Sequence, residues 1–353
     1  IEIVTTSPYH ITPQNVALIN SRLRTIRPPQ EIHRLPRDIS VAKWKAVEWK
    51  NWLLYYAVPC LSGILDHRYV EHLSHLVVAV YLMLQETISS DDLLAAEAHI
   101  TAFITAVTPL YGEKAMTFNM HSLLHLADSV RKTGPLWATS AFPFESEIYT
   151  VKQQIKGPVS VAVQIAKNMV AANICKATVP STQHLTPSCK NYCRKIISTV
   201  PLHQRHVQIN DVVMLGTPIT ITARDLPLTS PLDPSTLLQS FTSCIYKHQL
   251  LRSAQHEGSI LRNDDRYVQT HDCEFLRICE IVVRNGATVH IYGVKIHVRP
   301  LLCGGVELPH VFEADISEEV MTCRVEDIAG KCILIAIDNG KYISTFPNTF
   351  EKH

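Results

Sequence analysis

The stretch WKAVEWKNWLLYYAVPCLSG, residues 44–63, decides how the first half of this chain folds. Within Lys43–Ala57, the residues Trp44, Trp49, Trp52 and Tyr56 recur at spacings near the helical period, so several share one apolar face of a helix. Pro59 is expected to end that helix, because proline lacks the N–H that the next turn requires. Tryptophan at helical spacing belongs to a core more often than to a nucleic-acid-stacking surface. Glu48, between these rings, is expected to pair with a nearby Arg or Lys.

Downstream, Tyr69–Thr87 repeats the pattern, with Leu73, Leu76, Val77, Val80 and Leu84 on one stripe. Ser89 or Ser90 then offers an N-cap, and Asp91 and Asp92 suit the positive end of a helix reaching about Val107. A shorter helix over Met120–Arg131 is closed by Gly134-Pro135. Upstream, a helix over Asn15–Ile26 gives way to Pro28-Pro29, which forbids helix and favours extended chain. Residues 1–40 therefore read as an N-terminal extended segment and 41–135 as a helical domain.

Beyond it, Phe142-Pro143-Phe144 reads as an extended approach to a helix opened by Glu145 or Glu147. A second helix covers about Ser160–Asn173. A proline-rich stretch at 222–240 reads as a linker. From 241 to 353 the pattern changes to short alternating runs, at Leu276–Val283, Thr288–Val298, Cys332–Ile337 and Lys341–Phe346. Asn285-Gly286 and Asn339-Gly340 separate them as tight-turn pairs. The class expected is mixed α+β, ending in a small antiparallel, barrel-like domain.

The 353 residues carry a formal net charge of +1, so any nucleic-acid contact must come from a local patch. One such patch is visible. From Ile148 to Asn210 there is no Asp or Glu, while Lys152, Lys156, Lys167, Lys176, Lys190, Arg194, Lys195 and Arg205 fall in the same stretch. Cations without intervening acids suit phosphate contacts and counterion release; a solvated lysine-bearing helix face is the plain alternative.

His121 and His125, four apart, share a helix face and could chelate a metal, but no further ligand lies near them, which favours packing. Cys189, Cys193 and His184 match zinc-finger spacing poorly. The ten cysteines form no CxxC pair and read as reduced thiols of an intracellular protein, nuclear or cytoplasmic. No apolar run of the roughly 18–20 residues that cross a bilayer is seen, so no membrane partner is expected. GxSxG, Walker A, GxGxxG and HExxH motifs are absent, which removes the commonest hydrolase, nucleotide-binding and metalloprotease readings. A start at Ile1 is read as a sign of a fragment.

Several phrases stand in a familiar order. They are Arg34-Leu35-Pro36-Arg37, the 44–63 stretch, Tyr111-Gly112, NMHSLLHL at 119–126 and GPLWATSAFPFES at 134–146. Over about residues 15–175 this order resembles the C-terminal half of CACTA-type DNA transposases. The resemblance implies a ribonuclease H-like core that uses three acids and two Mg²⁺ ions to cut and join DNA strands. The helical domain would be an insertion in that core, and 136–221 its C-terminal piece. Glu145 would be the third acid and metal ligand, with Glu147 as backup, and Asn119, His121 and His125 would orient the site. The two Asp that complete the trio are not found in the chain, so it is expected to be inactive by itself. DNA is the expected partner, and a homo-oligomer the other assembly considered. The alternatives are a non-catalytic nucleic-acid-binding module and a helical and β protein-interaction protein.

Overall fold

A computed structural model describes residues 8–41, 43–178, 206–226, 235–254, 262–338, 340–349 and 351, with isolated positions 186, 189 and 233. The fold is mixed α+β, with helices and two antiparallel sheets. The chain divides into two compact units, one built from 1–137 with 206–353 and the other from 138–205.

In the larger unit, α1 (Pro13–Thr25) starts where the Thr12 hydroxyl accepts from the Asn15 N–H at 3.2 Å, with Pro13 in its first turn. The 44–63 stretch folds as α2 (Ala46–Asn51), a π-helical segment Trp52–Tyr56 and α3 (Ala57–Leu61). Helix thus continues through Pro59 rather than ending before it. Pro59 cannot donate back into the π segment, and the Leu54 carbonyl, five residues before it, accepts instead from His310 Nε2 at 2.7 Å. α4 (His67–Met83) and α5 (Ser90–Tyr111) follow. At α5 the Ser89 hydroxyl accepts from the Asp92 N–H at 3.0 Å, while the Ser89 N–H donates to the Asp92 carboxylate at 3.1 Å. α5 is the one helix among the described residues long and apolar enough to cross a bilayer, which the sequence reading missed. Its buried residues Ala96, Ile100, Phe103, Ile104 and Val107 form a single stripe, the pattern of a helix packed on one side. The expected helix at 120–131 is bent: α6 (Phe118–Ser122) passes through a 3₁₀ turn at Leu123–His125 into α7 (Leu126–Thr133).

Strands begin at His206, well before 241. A four-stranded sheet runs in the order β1 (His206–Ile209), β2 (Val212–Leu215), β5 (Ser243–Tyr246), β6 (Gln249–Arg252). The second sheet contains β3 (Ile219–Thr222), β4 (Leu237–Phe241), β7 (Tyr267–Thr270), β8 (Phe275–Arg284), β9 (Thr288–Cys303), β10 (Val306–Arg324), β11 (Ile328–Ile337) and β12 (Gly340–Thr345). Its order is β3-β4-β8-β7-β11-β12-β10-β9, and β9 pairs again with β8, so six of the strands close into a ring. Each of the six sends side chains into one cluster: Tyr267, Phe275, Ile296, Phe312, Cys332 and Ile343. The 222–240 stretch joins β3 to β4, which pair from Ile219↔Ser240 to Thr222↔Leu237. The strands at its two ends thus pair with each other, and its prolines Pro227, Pro231 and Pro234 lie outside the described residues. Asn285 and Gly286, at φ 51° and 67°, make the β8–β9 turn as their residue types require. Asn339 lies outside the described residues.

Helices and sheet share one core. Ile19, Leu54, Val77 and Ile100 cluster with Leu308, Val311, Ile333 and Ile335. Buried polar links reinforce it. The Arg22 guanidinium donates to the carbonyls of Cys60 (2.7 Å) and Ser62 (2.8 Å) and to the Asp338 carboxylate (2.5 Å). The Pro28–Glu31 segment is bound to the strands as well. Pro28 accepts from the Asp264 N–H, the Gln30 N–H donates to Asp265, and Lys331 sits between Asp265 (2.8 Å) and Glu31 (2.9 Å).

The smaller unit, among its described residues, contains α8 (Phe142–Gln153) and α9 (Val161–Thr178). Phe142-Pro143-Phe144 is not an extended approach but the first turn of α8, where proline's fixed φ is already helical.

Candidate nucleic-acid interface

α8 and α9 form a hairpin whose loop is held from within. The Gln164 side-chain carbonyl accepts the N–H groups of Lys156 (2.8 Å) and Gly157 (3.2 Å), and its amide donates to the Gly157 carbonyl at 3.0 Å. Asn168 adds a bond from its amide to the Gln154 carbonyl at 2.9 Å. Ser160, at φ 56°, turns the chain into α9. These bonds fix the backbone carrying Lys156, one turn beyond Lys152. Both lysines are exposed, as is Lys167 on α9. Lys176 falls on α9, but its side chain lies outside the described residues, as do Lys190, Arg194, Lys195 and Arg205 altogether. Three of the eight expected cations are therefore placed, all of them in water.

Glu145 occupies the first turn of α8, where its charge faces the positive end of the helix dipole. It is exposed, and so is Glu147. Among the described residues no group of three or more His, Cys, Asp or Glu side chains could hold a metal ion. One exposed carboxylate does not fit a pair of Mg²⁺ ions, which need several oxygen ligands held around them.

The supporting residues expected from the sequence lie in the larger unit. His121 and His125 stand 5.4 Å apart, edge to face, and both are exposed, as is Asn119. Between α6 and α7 a 3₁₀ turn at Leu123–His125 interrupts the α-helical spacing assumed for an i, i+4 pair. Cys189 is exposed, and its partners in the weak zinc pattern, His184 and Cys193, lie outside the described residues. Of the remaining thiols Cys60, Cys244 and Cys332 are buried, while Cys273 is exposed. Burial pushes the Cys60 and Cys244 thiols up to about 12.

One expectation is met in kind, and another is not. Glu48 pairs with Arg37 through two bonds, Nε to Oε1 at 2.6 Å and a terminal nitrogen to Oε2 at 2.7 Å. The partner's type was expected, but spacing could not pick Arg37 out of the surrounding cations. Trp49 was expected in the core and is 56 % exposed. The helix that carries it ends at Asn51, and the π segment that follows changes the angular step between Trp49 and the residues beyond it.

A cleft of about 620 Å³ in the larger unit is lined by Glu31, Glu86, Lys331 and Glu351 among others. Some of its charges are already paired: Lys331 is bound to Glu31, and Glu351 to Lys50 at 3.1 Å. In comparisons with known proteins, no family model, curated protein or solved structure matches the chain.

Proposed function

We propose that the chain is part of a CACTA-type transposase and that its own share of the work is to hold DNA. The observation that carries this is the acid-free run from Ile148 to Asn210, whose described cations Lys152, Lys156 and Lys167 stand exposed on an internally braced hairpin. Exposed lysines on a fixed backbone meet phosphates without first being ordered, and each contact releases a counterion.

On this reading α8 is the helix that bears the third acid of a ribonuclease H-like core, with Glu145 in that position. Phe144, Ile148, Tyr149, Val163 and Val170 of the same unit are exposed by 51–67 %: 67, 55, 64, 51 and 57 % respectively. Apolar helix faces of this extent need another layer to bury them. A sheet carrying two further acids would supply that layer and complete the metal site. The six-stranded ring is read as the small barrel that follows such a core. Strand scission is then not the work of these residues alone.

Fluorescence anisotropy of a labelled DNA duplex tests the reading. Three phosphate contacts give a slope of log affinity against log salt of about −2.7 or steeper. Replacing Lys152, Lys156 and Lys167 together by alanine should flatten that slope by about the same amount. A salt-independent affinity, or none, would leave the interaction-protein alternative. Cleavage of duplex DNA in Mg²⁺ that Glu145→Ala abolishes would overturn the view that the chain cannot cut by itself.

A further inference from the structure

A second surface, in the larger unit, has the chemistry of a strand-binding site, and its interpretation rests on the nucleic-acid reading above. The segment from Arg24 to Lys50 contains three acids, and all three are taken up internally. Glu31 is bound by Lys331, Asp38 by Arg24 and Glu48 by Arg37. Arg34, Lys43 and Lys45 remain exposed. Burial would raise the Glu48 carboxyl, but the direct bonds from Arg37 and the Lys45 N–H, with the charges of Arg37 and Arg34 added, hold it below its usual range. The Lys43 carbonyl in turn lies 3.5 Å from the Arg37 guanidinium. Lys43 and Lys45 flank Trp44 in the sequence, and Lys45 stands four residues before Trp49.

Trp49 follows Glu48 directly in the sequence, and it is exposed. Its ring centroid is 4.8 Å from that of Trp44, and Trp44 is 5.9 Å from Trp52. Trp44 is itself fixed, its indole N–H donating to the Asp38 carbonyl at 3.1 Å. The three rings form a cluster with Trp44 in the middle, tilted 49° from Trp49 and 74° from Trp52, two of them partly buried and Trp49 in water. Because Trp44 backs Trp49, little freedom is lost when something lies on the open face.

We propose that Trp49, backed by Trp44 and flanked by Arg34, Lys43 and Lys45, stacks an unpaired base of a single-stranded nucleic acid while the three cations contact its phosphates. An indole face accepts any base, and cations beside it follow the backbone. Duplex DNA keeps its bases stacked on one another and cannot use the ring.

The probe is a labelled 20-nucleotide oligothymidylate, titrated into the whole chain, with anisotropy and tryptophan fluorescence read together. Binding should quench tryptophan emission. Trp49→Ala should weaken binding about tenfold or more and abolish most of the quench, whereas Trp49→Phe keeps most of the affinity. Arg34→Ala and Lys45→Ala should each flatten the salt slope by about 0.7 and leave the quench in place. Thermal melts confirm that each variant is folded. No binding, or equal binding by Trp49→Ala and the parent chain, overturns the proposal. The two surfaces fail separately. Intact duplex affinity without Trp49 dependence sinks only this inference, and Trp49-dependent strand binding with no duplex affinity sinks only the role of Lys152, Lys156 and Lys167.

Discussion

His310 shows how one buried side chain sets a response to pH. It lies on β10, fully buried, stacked on Tyr81 with centroids 3.9 Å apart. Its Nε2–H donates to the Leu54 carbonyl at 2.7 Å, which fixes the tautomer. Nδ1 is left buried with no hydrogen-bond partner. A proton there would place a charge in an apolar site, and burial accordingly holds the imidazole down at about 4 against the ordinary 6.5. The unfolded chain takes up this proton below about pH 6.5 and the folded chain does not. Stability is therefore complete above 6.5 and falls as pH drops toward 4, by about 3 kcal/mol for this residue. His72, His75, His99 and His290 are shifted down as well, mainly by burial, and push the same way. His310→Gln retains an N–H for Leu54 without the titration. Urea melts at pH 7 and 4.5 should show a smaller acid loss in the variant, and an unchanged loss would mean that His310 titrates normally. At this scale the sequence was uneven. Local chemistry was readable, as in the Ser89 cap and the Asn285-Gly286 turn. Partners distant in sequence were not, and both His310 with Leu54 and Arg22 with Asp338 depend on them.

Elements came through where their signal was periodic and local. α1, α4, α5, α9 and the β8–β9 hairpin fall near the expected ranges. The π segment did not, since an extra residue in a helical turn leaves no mark in spacing. β1 to β7 were lost because strands of four or five residues give too few alternations to register, and β10, the longest strand, was not among the runs read from the sequence either. Gly293 in β9 shows what the strands demand of one another. It pairs with Ile278 on β8 and Met321 on β10, and a Cβ there would lie 2.5 Å from the Arg277 carbonyl oxygen and 2.7 Å from a Leu276 methyl. Gly293→Ala should cost about 1–3 kcal/mol, because the β8 backbone cannot move aside. Gly330→Ala, on β11 with nothing within 4 Å of the added carbon, should stay within about 0.5 kcal/mol. Equal effects at the two positions in chemical denaturation would refute this account of the close approach.

At the scale of the whole molecule the larger unit is discontinuous in sequence. Residues 1–137 and 206–353 contribute to one apolar cluster. A protease nick anywhere from 138 to 205 should leave the two flanking pieces associated, co-eluting on size exclusion and melting together. Separation of the pieces under native conditions would contradict a shared core. In hydrogen exchange, α4 and α5 should be protected well beyond α8 and α9, whose apolar residues are so largely exposed. Equal protection would count against the exposure of those faces. This arrangement was the least legible in the sequence, because helical and β patterns read as successive domains and nothing in their periodicity says that one packs on the other. The candidate site fared similarly. The acid-free basic run was plain from the sequence, and its three described cations stand in water, whereas the exposure of Trp49 depends on local helix structure that spacing does not show.

The ring of six strands has one more consequence. A strand with bonded neighbours on both sides offers no row of free amides and carbonyls to another molecule. Open rows remain, among the described residues, on β1 and β6 of the smaller sheet and on β3, where Val207 and Ile219 are also exposed. Misassembly of partly unfolded copies is thereby confined to a few short segments outside the ring, and a charge introduced at Val207 or Ile219 is the economical way to suppress fibre growth.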